Sequence, residues 1–86
     1  MTKVIKFYAD WCGPCRVYAK TFEEVSEQLK DQAKFLNINI EKDDTGLTKK
    51  YEVQSIPTTV IIKEGNTKIY KGRMDSKSLK SVILDE

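Results

Sequence analysis

The chain has no histidine, and only two cysteines, two prolines and one tryptophan among its 86 residues. Without histidine there is no Cys–His nucleophile pair and no imidazole general base. A closed zinc site wants four ligands, mostly thiolate or imidazole. Two cysteines per chain supply half of that set, so zinc would need carboxylates or a second chain. No metal and no bound cofactor is expected. Charge of one sign is also scarce: 15 Lys and Arg face 13 Asp and Glu, a net +2. That balance provides neither a basic stripe for nucleic acid nor a polybasic patch for a membrane surface. No apolar run approaches the roughly 20 residues of a membrane span. Met1-Thr2-Lys3 leads straight into Val4-Ile5-Lys6-Phe7-Tyr8, too short and too interrupted for a signal-peptide core. The expected setting is the cytoplasm, where thiols stay reduced and a lone cysteine pair is more often catalytic than structural.

What is present is ordinary globular composition, 40% apolar and 33% charged. Its length suits one domain over residues 1–86. Lys3 to Ala9 is short and rich in β-branched and aromatic residues, apolar on both faces apart from Lys6. It reads as a central strand of a sheet covered on both sides. Tyr18, Phe22, Val25 and Leu29 then fall at i, i+4, i+7 and i+11, one face of a helix that Cys15 joins and that fades near Lys30-Asp31-Gln32. Ala33 to Ile40 reads as a second strand, completing a right-handed βαβ unit with parallel strands. A short helix is expected from Thr45 or Gly46 to Tyr51, with Leu47 and Tyr51 on one side. Pro57 opens a strand over Thr58 to Ile62, a position where a sheet accepts proline. After a loop at Lys63 to Asn66, Thr67 to Lys71 alternates as an edge strand does. Asp75 or Ser76 can N-cap a last helix that turns Leu79, Val82 and Ile83 inward. The order is β-α-β-α-β-β-α, an α/β fold.

Both cysteines lie in Trp11-Cys12-Gly13-Pro14-Cys15, at the start of the first helix. Orphan amides and the positive end of the helix dipole favour a thiolate at Cys12, which is expected to be exposed. The spacing puts two sulfurs within bridging reach across one turn. Pro14 stiffens the dipeptide between them. A static bridge over so short a loop would restrict the unfolded chain little, so redox work is the better reading.

The sequence resembles the thioredoxin family. Trp11-Cys12-Gly13-Pro14-Cys15 is that family's active-site motif in full, and Phe7-Tyr8-Ala9-Asp10 is similar to its usual approach. Ser55-Ile56-Pro57-Thr58 resembles the second signature, in which the Ile-Pro bond is cis and faces the disulfide. The resemblance covers nearly the whole chain. It implies a four-stranded mixed sheet in order 2-1-3-4, with the last strand antiparallel, flanked by three helices. It also implies that Cys12 attacks a substrate disulfide and that Cys15, more buried, resolves the mixed disulfide. Trp11, Ile56, Pro57 and Gly72 would line an apolar substrate groove, with Gly13 and Pro14 as support. Disulfide-containing substrate proteins and a flavin-dependent thioredoxin reductase carrying NADPH electrons are the implied partners of a monomer, in a role of electron transport and cell redox homeostasis.

Several positions depart from the family pattern. The extra N-terminal strand and helix of ordinary thioredoxins have no counterpart here. Lys6 stands where the family buries an Asp, six residues before the first cysteine, and Asn37 aligns with the lysine that accompanies that acid. Lys6 either carries its ammonium out past the core or holds it near the thiolates, which would make the protein a weaker reductant. Arg16, Lys71 and Arg73 either form a positive rim around the groove or are solvated surface charge. Two alternatives remain at this stage: a glutaredoxin-like protein coupled to glutathione, and a binding or accessory subunit that uses the fold as a clamp.

Overall fold

The computed structural model describes residues 1–85. Seven elements follow the expected order: β1 (Thr2–Tyr8), α1 (Gly13–Gln28), β2 (Ala33–Asn39), α2 (Leu47–Lys50), β3 (Thr58–Lys63), β4 (Asn66–Lys71) and α3 (Ser76–Leu84). The strands form one sheet in the order β2-β1-β3-β4. β1 and β2 are parallel, with Ile5 opposite Leu36 and Phe7 opposite Ile38.

The last strand is antiparallel to its neighbour, as expected, and the strand before it is reversed as well. β3 already runs antiparallel to β1, pairing Phe7 with Thr58 and Lys3 with Ile62. β4 is antiparallel to β3 and therefore parallel to β1. The chain enters β3 beside the end of β1, so the strand must run back along it. This reversal puts Ile56-Pro57 at the same end of the sheet as the cysteines.

Residues alternate in facing the two sides of β1, and the two sides are covered unequally. On one side Val4 and Ile61 pack against Tyr18, Phe22 and Val25 of α1 and Leu79 and Ile83 of α3. On the other, Ile5, Phe7, Ile38 and Val60 meet Leu47 of α2 and the following Tyr51, Val53 and Ile56. Full burial of each large apolar side chain contributes on the order of 1.5–3 kcal/mol. The α1 stripe is therefore a principal clamp holding the cysteine-bearing helix to the sheet. The Tyr18 hydroxyl within it shares a 2.7 Å hydrogen bond with Thr59 Oγ1. Asp75 caps α3 by accepting from the Ser78 amide at 2.8 Å. No helix among the described residues is long and apolar enough to cross a membrane.

Candidate active site

α1 begins immediately after Cys12, which is its N-cap with extended backbone angles of φ −86° and ψ 110°. Pro14 occupies the first turn, where a missing amide hydrogen costs no intrahelical bond. The Cys15 amide donates to Cys12 Sγ at 3.2 Å. Cys12 and Cys15 are joined as a disulfide, with Cα atoms 5.2 Å apart. Helix start, proline and sulfur spacing thus act together, as the pentapeptide suggests.

The accessibility of the pair differs from the expectation of an exposed Cys12. Cys12 is 5% exposed and Cys15 3%. Ala9 is buried with them, while Tyr8, Ile40 and Ile56 pack against the cluster. Cys12 Sγ lies 3.9 Å from the Ile56 carbonyl oxygen, a contact that can become a hydrogen bond only when the sulfur carries hydrogen. Trp11, by contrast, is 65% exposed. The exposed apolar side chain next to the disulfide in sequence is therefore that of Trp11, while both cysteines are buried.

Pro57 is fully buried, and the Ile56–Pro57 peptide bond is cis. Its carbonyl accepts from the Gly72 amide at 2.8 Å, which ties the loop after β4 to the segment before β3. Gly72 has a φ of +89°, backbone that a residue with a Cβ adopts only at a cost. Trp11, Ile56, Pro57 and Gly72 thus come from three loops at one end of the sheet.

Lys6 does not carry its ammonium out past the core. The residue is 5% exposed, and Nζ stands 5.2 Å from the Tyr8 ring centroid and 5.0 Å from that of Phe22. Burial lowers its pKa from the ordinary lysine value, with the Glu23 carboxylate opposing. Lys6 lines a cleft of about 420 Å³ together with Cys15, Asp10, Arg16 and Asn37. Lys6 therefore faces the same space as the second cysteine. Its length and aromatic neighbours explain why it stays: the stem packs in the interface while the cation rests against ring faces.

Two features of the site were not read from the sequence. Arg16, on the sequence either groove rim or solvated surface charge, has a guanidinium that donates to the Asp10 carbonyl at 3.0 and 3.3 Å, bracing the turn before Trp11. Thr58 Oγ1 donates to the Ser55 carbonyl at 2.7 Å, fixing the loop that carries Ile56 and Pro57. Ser/Thr side chains beside a turn favour such local bonds, and that was the available signal. Among the described residues, no group of three or more His, Cys, Asp or Glu could hold a metal ion.

Residues 1–85 match the family model described as Thioredoxin. The thioredoxin of Rickettsia typhi is 38% identical over 77 residues, which are 88% of this chain and 72% of that protein. Thioredoxin-T of Drosophila melanogaster is 43% identical over 63 residues, 73% of this chain and 40% of that longer protein. The X-ray structure of Fasciola hepatica thioredoxin superposes with a TM-score of 0.85 at 28% identity, covering 98% of this chain and 79% of that one. With a cysteine pair joined at the N-terminus of α1, and with family, relatives and fold in agreement, this chain belongs to the thioredoxin family of thiol–disulfide oxidoreductases.

Proposed function

We propose that the chain reduces disulfides in substrate proteins through a reversible Cys12/Cys15 cycle. The observation that carries this reading is the Cys15 amide aimed at Cys12 Sγ at the start of α1. An amide donor at a helix N-terminus stabilises negative sulfur, and the thiolate is the attacking form. In the reduced protein, the Cys12 thiolate attacks one sulfur of a substrate disulfide and displaces the other as a thiolate. Cys15 then gives up its proton, and its sulfur attacks Cys12 Sγ and expels the second substrate thiolate. Two electrons have passed to the substrate, and the protein is left with the Cys12–Cys15 bond.

Trp11, Ile56, Pro57 and Gly72 form the substrate-facing surface in this proposal, with Gly13 and Pro14 setting the turn between the sulfurs. The Gly72 amide is already engaged with the Pro57 carbonyl. A substrate segment added as a strand would therefore use the backbone on the Ile56 side. The return of electrons is assigned to NADPH through a thioredoxin reductase, and the working compartment to a reducing cytoplasm, where the oxidised pair is continually recharged. Lys6 is assigned to active-site support, its cation favouring the thiolate form and making the protein a weaker reductant than one with a carboxylate there.

The test is to trap the intermediate. Cys15→Ser should accumulate a mixed disulfide with a model protein substrate, and Cys12→Ser should not. The wild-type pair should be reduced by thioredoxin reductase and NADPH faster than by glutathione. Trapping through Cys15 instead, or a faster glutathione-coupled turnover, would reverse the assignment.

A further inference from the structure

A wide cleft lies away from the cysteines. It occupies about 870 Å³ on the α2 side of the sheet, and none of Trp11, Cys12, Cys15 or Pro57 lines it. That volume lies in the upper part of the range for ligand-binding clefts. The strand register explains the opening. Leu36, Ile5, Val60 and Ile69 sit opposite one another across all four strands as one apolar row. The other face of the sheet is covered by α1 of 16 residues and α3 of nine, whereas this face has only α2 of four residues. α2 and the segment after it cover the Phe7 end, where Tyr51 meets Phe7 edge-on. Ile5 and Val60 in the middle of the row are buried, whereas Leu36 and Ile69 at its two ends are left 45% and 47% exposed.

We propose that this groove, floored by Ile5, Leu36 and Ile62 and edged by Lys3, Lys34 and Lys50, docks an acidic amphipathic helix of a partner protein. At the centre of the floor β1 is paired along both edges, with β2 and with β3, whereas β2 is an edge strand of the sheet. An occupant lying across the side chains of this face, rather than along the β2 edge, finds no backbone partners there and must bring its own hydrogen bonds satisfied, which a helix does and an extended segment does not. The apolar floor fits one stripe of such a helix. The rim fixes its charge: Lys3, Lys34 and Lys50 line the cleft against a single acid, Glu64. Opposite charges across a docking surface steer the encounter and set specificity. The same rim opposes a second copy of this chain, because two such faces brought together would oppose lysines to lysines.

The site is separate from the disulfide, so occupation leaves redox turnover intact. The probe is a fluorophore-labelled peptide of about 15 residues, with leucines at i, i+3, i+4 and i+7 and glutamates flanking them, followed by anisotropy with the full chain. Saturable binding is expected, weakening as salt rises and about tenfold weaker when lysines replace the peptide's glutamates. Lys34→Glu with Lys50→Glu should reverse that preference, and Leu36→Glu should weaken both peptides. Disulfide reduction by each variant should match the wild type, which also verifies folding. The proposal is overturned by no binding, by equal binding of the two peptides, or by affinity indifferent to all three substitutions. Binding to phosphatidylglycerol vesicles without peptide binding would assign the face to membranes instead. A dimer in sedimentation that the peptide fails to dissociate would assign it to self-association.

Discussion

The ammonium of Lys6 stands 5.0 Å from the centre of the Phe22 ring, inside the contact between sheet and helix rather than in water. The position one strand residue to either side is apolar and buried, and the cation is retained there at a cost. Burial lowers its pKa, so the folded state disfavours the charge. Contacts with two ring faces offset part of this. Lys6→Met keeps the stem volume and removes the cation. It should raise stability at neutral pH by about 1 kcal/mol, read from denaturant unfolding. Between the lowered pKa and the unfolded value of 10.5, the unfolded wild type binds the extra proton, so wild-type stability rises with pH across that window. The gap between the two proteins should accordingly close as pH approaches the upper limit. A gap that is constant with pH would mean that packing, not charge, sets the difference.

The same substitution separates a structural lysine from one acting on the cysteines. Lys6 and Cys15 line one cleft, and a cation beside a thiol favours the thiolate and hence the reduced pair. Lys6→Met should raise the Cys12 thiol pKa in an ultraviolet thiolate titration. It should also shift the reduction potential to more negative values, on the order of 10–30 mV. A potential and titration identical to wild type would confine Lys6 to the core.

Where the sequence speaks clearly, a physical periodicity stands behind it. Tyr18, Phe22 and Val25 could face the sheet only as a helix, and Val4 to Tyr8 could be apolar on both sides only as a central strand. Cys12 at the start of that helix follows from the same pattern. The direction of β3 does not, because Thr58 to Ile62 has the same composition read either way and its orientation depends on where the preceding loop ends. The fate of Lys6 is equally silent in one dimension, since its stem is long enough for water or for the aromatic pair. The depth of Cys12 depends on Ile40 and Ile56, which are distant in sequence. The Tyr18–Thr59 hydrogen bond spans 41 residues, and both partners pass for members of apolar runs.

That hydrogen bond yields a double-mutant test. Burial pushes the Tyr18 hydroxyl pKa up, with the Thr59 bond opposing, as befits a neutral phenol held in the core. Tyr18→Phe leaves the Thr59 hydroxyl buried without its partner and should cost about 1–2 kcal/mol. Thr59→Val should cost a similar amount. The double variant should lose less than the sum, because both polar groups leave together. Additive losses in urea unfolding would show that the two side chains act independently.

The cap of α3 has an acid limit. The Ser78 amide and hydroxyl hold the Asp75 carboxyl below its ordinary value of 3.8. A depressed carboxylate stabilises the fold above its unfolded pKa, and that contribution is lost as pH falls through the folded one. Asp75→Ala should therefore lower Tm at neutral pH, read from thermal unfolding. Wild type and variant should converge at pH values below the folded pKa. A difference that persists there would assign the loss to helix propensity rather than to the charged cap.

Gly72 connects fold to substrate surface most directly. Its φ of +89° lets its amide reach the Pro57 carbonyl at 2.8 Å, and a Cβ built on it meets nothing within 4 Å. Alanine there would clash with no neighbour, so its whole cost is conformational, about 1–2 kcal/mol. The backbone can meet that cost in two ways, by straining in place or by relaxing to negative φ. Straining lowers Tm and leaves substrate kinetics unchanged. Relaxing breaks the bond to Pro57 and displaces the loop beside Trp11 and Ile56. Because the Pro57 carbonyl is buried, losing this bond would leave an unpaired acceptor at a cost of about 1–3 kcal/mol, and moving the loop would add the loss of its packing. Straining in place is therefore the cheaper response. Gly72→Ala should unfold at lower denaturant while retaining wild-type kcat and KM for a protein disulfide. A rise in KM with kcat preserved would show instead that the loop has moved and that Gly72 shapes the groove through its conformation.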